Sequence, residues 1–137
     1  MVAPSVAMLV DDGRLNHVTG NIIAGAIEVH RVMGPGLLES PYMPCLEYEL
    51  KERGLAYVRQ QPIALTYKTL RLNATYRLDL VVEDTVIVEV KCVEALLPVH
   101  KAQLLTYLRL SNRPAGLLIN FNVPRLIDGV KRLLNTF

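Results

Sequence analysis

The sequence has little of what marks several common protein classes. Its net charge is only +2, from 15 basic and 13 acidic residues, so no basic tail or strongly basic surface advertises a nucleic-acid partner. The two cysteines, Cys45 and Cys92, fit no metal-ligand spacing, and we expect both to be reduced core residues of a cytoplasmic protein. The sequence also has no CxxC pair, GxGxxG or Walker loop, and no Ser, His and Asp in the order of a hydrolase triad.

Segments that would direct the chain to a membrane are missing as well. No apolar run reaches the roughly 20 residues of a transmembrane helix. The apolar start, Val2 to Val10, has no basic region before it and is followed by Asp11 and Asp12, which argues against a secretory signal. We expect residues 1–13 to be a loose leader and residues 14–137 to be a single domain without internal repeats.

What is present is enough apolar sequence for a folded core, with 51% hydrophobic and 20% charged residues. Apolar residues at three- and four-residue intervals indicate helices, and Val- and Ile-rich runs between turn residues indicate strands. The predicted helices cover Leu15–Met33, Pro41–Arg53, Pro98–Leu110 and Pro124–Leu134. The predicted strands cover Val58–Tyr67, about Leu70 to Val82, Val86 to Cys92, and Ala115–Phe121. This order, ααβββαβα, predicts an α/β sandwich in which helices flank a small mixed sheet of about four strands.

The most informative stretch is the strand pair around the loop Glu83–Thr85. Side chains alternate along a strand, so each strand should place its apolar residues on one face. These are Tyr76, Leu78, Leu80 and Val82 in the first strand and Val86, Val88 and Val90 in the second. A three-residue loop keeps the two sets together by pairing Val82 with Val86 and Leu80 with Val88. The same register places Asp79 opposite Glu89 and Arg77 opposite Lys91, with directly opposed Cβ atoms roughly 4.5–5.5 Å apart.

Two interpretations of this strand face remain open from spacing alone. Asp79 and Glu89 could share one hard divalent cation beside Lys91, because buried carboxylates are costly unless they bind something. The stretch could equally be an ordinary amphipathic hairpin whose charged face is solvated. The Val- and Ile-rich strands favour the first interpretation, since they look central in a sheet rather than exposed.

Other polar residues could extend such a site. Glu39 precedes the second predicted helix, for which we expect Ser40 as the N-cap and Gly54 at the C-terminal end; an acid there could also be a simple capping group. On the third helix, His100, Gln103 and Tyr107 share one face, which could cover the carboxylates or form a surface stripe. His30, at the end of the first helix, is more often a packed or capping residue than a ligand.

At these residues the chain resembles the GxxExxY family, a small bacterial group within the PD-(D/E)xK nuclease superfamily. Gly36, Glu39 and Tyr42 match the motif that names the family, and the resemblance extends over roughly residues 14 to 134. Its other matching segments are Glu28–Arg31, Gly34–Ser40, Tyr76–Lys91, Leu97–His100, Gln103–Leu108 and Leu118–Asn122. The proline of the superfamily name is replaced by Leu78, and Pro41 and Pro44 are unusual so early in the second helix.

The resemblance implies a restriction-endonuclease-like fold and a metal-dependent phosphodiesterase, for which we expect DNA rather than RNA as the substrate. Asp79, Glu89 and Glu39 would hold Mg²⁺ or Mn²⁺, and Lys91 would orient the attacking water or steady developing charge. Gln103 and Tyr107 resemble a helix motif of the RecB-like exonuclease branch, which lies by the active site. Gly36, Tyr42, His30 and His100 would be supporting or nucleic-acid-binding residues.

Two alternatives to a nuclease remain. The domain could bind nucleic acid or a partner without cutting it, as a regulatory module. The charged residues could instead be a structural ion-pair network in an unrelated assembly. A homodimer is the expected assembly if one small site must cut two strands, and no membrane partner is expected.

Overall fold

The computed structural model describes residues 12–136, apart from the side chains of residues 73–75. This part of the chain folds into three α-helices and one five-stranded mixed sheet. In chain order the elements are α1 (Asp12–Met33), α2 (Glu39–Glu52), β1 (Tyr57–Tyr67), β2 (Leu70–Val82), β3 (Val86–Lys91), α3 (Pro98–Ser111), β4 (Ala115–Asn120), a 3-10 helix (Leu126–Gly129) and β5 (Val130–Leu134). The strands lie in sequence order, with β3 and β4 parallel and the other neighbours antiparallel.

Helices cover both faces of the sheet, so the predicted α/β sandwich is confirmed. On one face, Ile22 of α1 and Leu46 of α2 belong to the same buried cluster as Val88 of β3. On the other face, Leu104 of α3 lies in a second cluster with Ile87 of β3. All five side chains are fully buried, and burial of each contributes about 1.5–3 kcal/mol. Strand β3 is therefore central and apolar on both faces, which makes any charge on it expensive.

Two helix starts differ from the prediction. Helix α1 begins at Asp12 rather than Leu15, and residues 1–11 of the predicted leader lie outside the described residues. Helix α2 begins at Glu39, and Leu38 rather than Ser40 occupies the N-cap position in extended conformation without a side-chain cap bond. Prolines are tolerated in a first turn, where backbone N–H groups have no partner within the helix. The predicted end of α2 is confirmed, because Gly54 follows with φ +71°.

The last predicted helix, Pro124–Leu134, is wrong. The chain forms a 3-10 helix over Leu126–Gly129 and then strand β5, which pairs antiparallel with β4 at the edge of the sheet. Gly129 makes this return possible, because a Cβ there would lie 2.3 Å from the carbonyl oxygen of Asn120. The sheet consequently has five strands instead of about four, and the chain ends the fold with a strand.

The predicted β2–β3 register is confirmed, since Val82 pairs with Val86 and Leu80 with Val88. Glu83 and Asp84 of the connecting loop both have φ 53°. The predicted alternation along β2 is wrong at one point: Leu80 packs with α1 and α2, whereas Leu78 packs in the cluster under α3. The strand thus changes its facing at Asp79, which lies between them.

None of the helices in the described part of the chain has the length and apolar character needed to span a lipid bilayer.

Candidate active site

The two predicted metal-binding carboxylates meet where β2 and β3 stop pairing through their backbones. Their described backbone pairs run from Val82–Val86 to Leu80–Val88. One residue further, side chains replace the ladder: the Asp79 N–H donates to Glu89 Oε1 at 3.3 Å. The Val90 N–H donates to Asp79 Oδ2 at 2.8 Å. The prediction that Asp79 and Glu89 are brought together is confirmed, whereas the predicted pairing of Arg77 with Lys91 is not part of this ladder.

The neighbouring strand β1 is also irregular at this level. Strand β1 pairs with β2 at Arg59–Leu80 and again at Gln61–Leu78, but Gln60, opposite Asp79, has φ 53°. This left-handed backbone is uncommon for a residue with a side chain. The backbone pairing of β2 with β1 and with β3 is therefore interrupted at the level of Asp79, and the Asp79 side chain can reach along the sheet to the Val90 N–H.

Glu89 is the most perturbed acid in the described part of the chain for which a shift is resolved. Only 4% of it is exposed. The pKa of Glu89 is raised to about 9, chiefly because burial penalises the charged form and also because the Asp79 carboxylate lies nearby. The charge of Lys91 acts in the opposite direction. A buried carboxyl beside a second carboxylate is stabilised by gaining either a proton or a cation.

Lys91 is held at the end of β3 by the neighbouring strand β4. The Phe121 N–H donates to the Lys91 carbonyl at 2.9 Å. Asn120, 1% exposed, accepts from the Val93 N–H at 3.1 Å and donates to the Val93 carbonyl at 2.9 Å. Its side-chain oxygen also accepts from the Asn122 N–H at 3.1 Å. Sequence reasoning missed this positioning role, although a polar residue that closes the apolar run of β4 could have signalled it.

The residues of the GxxExxY motif build the loop before α2. Gly36 has φ +96°, a conformation that favours glycine. The Tyr42 hydroxyl donates to the Gly34 carbonyl at 2.5 Å and accepts from the Leu37 N–H at 3.3 Å. Its fully buried ring stacks on Phe121, with the ring centroids 4.4 Å apart. Tyr42 therefore supports the loop from inside, and its buried ring does not form part of an exposed nucleic-acid surface.

Glu39 opens into the same groove as Asp79. The groove has a volume of about 240 Å³ and is lined by Glu39, Ser40, Met43, Arg59, Gln60, Asp79 and Val90. The charge of Glu39 also contributes, after burial, to raising the pKa of the Cys92 thiol, which places this acid near the end of β3. Sequence reasoning missed Arg59 in this groove. Its side chain is 62% exposed and lies 3.8 Å from Glu47 of α2.

Helix α3 brings one of its three candidate residues to the carboxylates. Burial raises the pKa of the Tyr107 hydroxyl, and the charges of Glu89 and Asp79 contribute to the same shift. The Tyr107 ring also lies 6.2 Å from that of Tyr76, between centroids. Gln103, one turn earlier, is exposed.

The two candidate histidines have structural partners. His100 Nδ1 accepts from the Leu97 N–H at 2.9 Å and so caps the start of α3. His30 Nε2 lies 2.7 Å from the Val123 carbonyl and ties the end of α1 to the segment after β4. These contacts account for both side chains through packing and capping.

The donor set fits a divalent cation that prefers oxygen. Asp79 and Glu89 supply two adjacent carboxylates, and Mg²⁺ is commonly held in proteins by one or two carboxylates together with substrate phosphates. Within residues 12–136, no group of three or more His, Cys, Asp or Glu side chains is arranged to hold a metal ion. Of the three predicted ligands, the structure joins Asp79 with Glu89 and leaves Glu39 as an exposed neighbour along the groove.

Comparison with known proteins identifies one family. A family model described as the PD-(D/E)XK nuclease superfamily matches residues 16–133. Neither the curated proteins nor the solved structures contain a significant match. The matched range includes both carboxylates, Lys91 and the loop before α2.

Proposed function

Because the chain belongs to the PD-(D/E)XK nuclease superfamily, we propose that it is a divalent-metal-dependent nuclease that hydrolyses phosphodiester bonds, in DNA rather than RNA. The observation that carries this proposal is the contact between Asp79 and Glu89 at the interrupted edge of β3, with Lys91 two residues further along the same strand. A purely structural pair would gain little from burying a carboxylate whose pKa is raised to about 9.

The chain's own residues would divide the work as follows. Asp79 and Glu89 would hold Mg²⁺ or Mn²⁺, which when bound polarises a phosphoryl oxygen and lowers the pKa of water. Lys91 would hold the attacking water or stabilise charge developing on the phosphate. Glu39, which lines the same groove as Asp79, would supply a further carboxylate for the ion, and Tyr107 would limit access of bulk water from the α3 side.

We also propose that the chain belongs to the GxxExxY family within this superfamily. Gly36 and Tyr42 shape the loop from which Glu39 starts α2, which explains why glycine, acid and tyrosine would occur at this spacing. The glycine supplies a positive φ, the tyrosine fixes the loop to the core, and the acid is left free to face the groove. This support is a physical reason for the motif in this chain.

The assembly proposed for cutting both strands of a duplex is a homodimer. Residues 12–136 of each chain contain one carboxylate pair of this kind, so two nicks on opposite strands would need two copies. Analytical ultracentrifugation across a concentration series would detect the dimer, and a strictly monomeric protein that cuts both strands would contradict it.

Cleavage of labelled substrates tests the function itself. Single- and double-stranded DNA and RNA would be incubated with the wild-type chain and Mg²⁺ or Mn²⁺, beside Lys91→Ala and the matched control Lys101→Ala on the exposed face of α3. We expect metal-dependent cleavage of DNA, a loss of about 10²-fold or more in Lys91→Ala, and little change in the control.

The outcome separates the proposal from its alternative. If no substrate is cut by any of the three proteins while Mn²⁺ still raises the melting temperature, the domain is a binding module on a nuclease scaffold. If Lys91→Ala cuts as well as the wild type, the assigned site is wrong.

A further inference from the structure

The hairpin of β1 and β2 extends well beyond the rest of the sheet. Strand β3 pairs with β2 only as far as Leu80, whereas β1 and β2 remain paired out to Tyr67–Leu70. Every residue from Thr66 to Leu72 is exposed. At roughly 3.3 Å per residue, β2 reaches about 30 Å from Asp79 to Leu70. We call residues 59–77 the arm.

The arm differs in charge from the remainder of the chain. It contains four basic residues and no acidic residue: Arg59, Lys68, Arg71 and Arg77. The other 11 basic residues face all 13 acidic residues, so the rest of the chain has a net charge of −2 while the arm alone carries +4. The small overall charge of +2 therefore conceals a local basic strip.

The cations of the arm begin at the candidate active site. Arg59 lines the groove that contains Asp79 and Glu39. Arg77, two residues before Asp79, donates to the Gln60 carbonyl at 3.3 Å. A polyanion lying along the arm would therefore be led to the carboxylate pair, whose negative charge would otherwise repel it.

Exposed aromatic rings accompany these cations. Tyr67 at the tip is 61% exposed, and Lys68 Nζ lies 5.4 Å from its ring centroid. Tyr76, near the base, is 46% exposed. Basic side chains that track a phosphate backbone, combined with rings on which bases can stack, are the recurring elements of single-strand binding surfaces.

We propose that the arm is the DNA-binding surface of this protein, with Lys68 and Arg71 contacting backbone phosphates and Tyr67 stacking on an unpaired base. This inference rests on the proposed nuclease function for its partner. Exposed Leu70 and Leu72 would also suit an anionic membrane. The cations of the arm continue to the groove that contains Asp79, which favours DNA as the partner. Binding to a lipid surface would not require cations beside that groove.

The test measures binding without turnover. Fluorescence anisotropy in EDTA would follow a fluorescein-labelled 24-base-pair DNA duplex and its single strand across a salt series. The variants are Lys68→Ala/Arg71→Ala and Tyr67→Ala, and the matched control is Lys131→Ala/Arg132→Ala. The control removes the same charge from exposed residues of β5, at the opposite edge of the sheet. Circular dichroism and melting temperatures check that each variant is folded.

We expect the arm double variant to lower the slope of log Kd against log salt by about 1.8 for duplex and about 1.4 for single strand, with no change in the control. Tyr67→Ala should weaken single-strand binding about fivefold or more and leave duplex binding nearly unchanged. Equal losses in the arm and β5 variants would overturn the proposal. So would an arm variant that loses binding to vesicles of anionic phospholipid but keeps its affinity for DNA.

The two proposals fail separately. If the wild type cuts no substrate and the arm variants lose DNA binding, the arm is supported as a DNA-binding surface and the nuclease function is refuted. If the wild type cuts DNA with Mn²⁺ and the arm variants bind and cut DNA equally well, the nuclease function is supported and the role of the arm is refuted.

Discussion

Replacing Glu89 by glutamine should stabilise the metal-free protein at alkaline pH. Glu89 is 4% exposed, and its pKa in the folded chain is raised to about 9 from an ordinary value near 4.5. Between these values the folded state keeps a proton that the unfolded state has released. The free energy of unfolding is therefore unaffected by the ionisation of this group below about pH 4.5, and it declines as the pH rises from there toward 9. A neutral glutamine can still accept the bond from the Asp79 N–H and has no proton to lose.

The magnitude follows from the linkage between proton binding and stability. A single proton retained by the folded state gives a slope of at most about 1.4 kcal/mol per pH unit. Between pH 5 and 8 the change is at most about 4 kcal/mol, and the pKa of about 9 from which it follows already includes the opposing charge of Lys91.

Urea denaturation in EDTA at a series of pH values would measure the difference between wild type and Glu89→Gln. The unfolding free energy of Glu89→Gln, relative to that of the wild type, should increase steadily from pH 5 to pH 8. Glu52→Gln, an exposed glutamate at the end of α2, serves as the control and should show no such trend. A difference that stays constant with pH, or that grows in favour of the wild type, would refute the reasoning.

Three further substitutions test how the site is held. Asn120→Ala leaves the Val93 and Asn122 backbone groups unpaired and should cost about 2–4 kcal/mol of unfolding free energy in urea; a loss below about 0.5 would contradict the positioning role. Tyr42→Phe removes two hydroxyl bonds but keeps the stacked ring, and should cost only about 1–2 kcal/mol, measured in the same way. Gly129→Ala would place a Cβ 2.3 Å from a carbonyl and should lower the melting temperature. Its control is Gly20→Ala in α1, where an added Cβ meets no atom within 4 Å; the higher helix propensity of alanine should raise the unfolding free energy by about 1 kcal/mol and so raise the melting temperature. A Gly129→Ala variant as stable as the wild type, or a Gly20→Ala variant that is destabilised, would contradict the packing described.

The carboxylate contact was predictable because it depends on local rules. Alternation along two apolar strands and a loop of odd length are enough to place Asp79 beside Glu89. What alternation could not show is the change of facing between Leu78 and Leu80. The change coincides with the left-handed backbone of Gln60, in a different strand, and the glutamine side chain gives no sequence signal of that conformation.

The last segment was mispredicted because its pattern is ambiguous. Apolar residues in the stretch from Leu126 to Leu134 recur at spacings that suit a helix as well as a short strand. The decision is tertiary: Gly129 lets the chain approach Asn120, and β5 then gains backbone bonds along β4. The role of His100 was missed for a similar reason, since a histidine cap on the Leu97 N–H is not among the usual capping signals.

The basic arm is not apparent from the net charge of the whole chain. A net charge of +2 over the whole chain excludes a strongly basic protein but not a basic segment. Arg59, Lys68, Arg71 and Arg77 are spread over two strands in the sequence, and only the β1–β2 pairing gathers them on one projection.

The central claim is that Asp79 and Glu89 form a metal site, and calorimetric titration with Mn²⁺ tests it without knowledge of the substrate. The account predicts saturable binding by the wild-type chain, loss of binding in Asp79→Asn, and unchanged binding in Glu52→Gln. Equal Mn²⁺ binding by the wild type and Asp79→Asn, or no binding by any of the three, would contradict it.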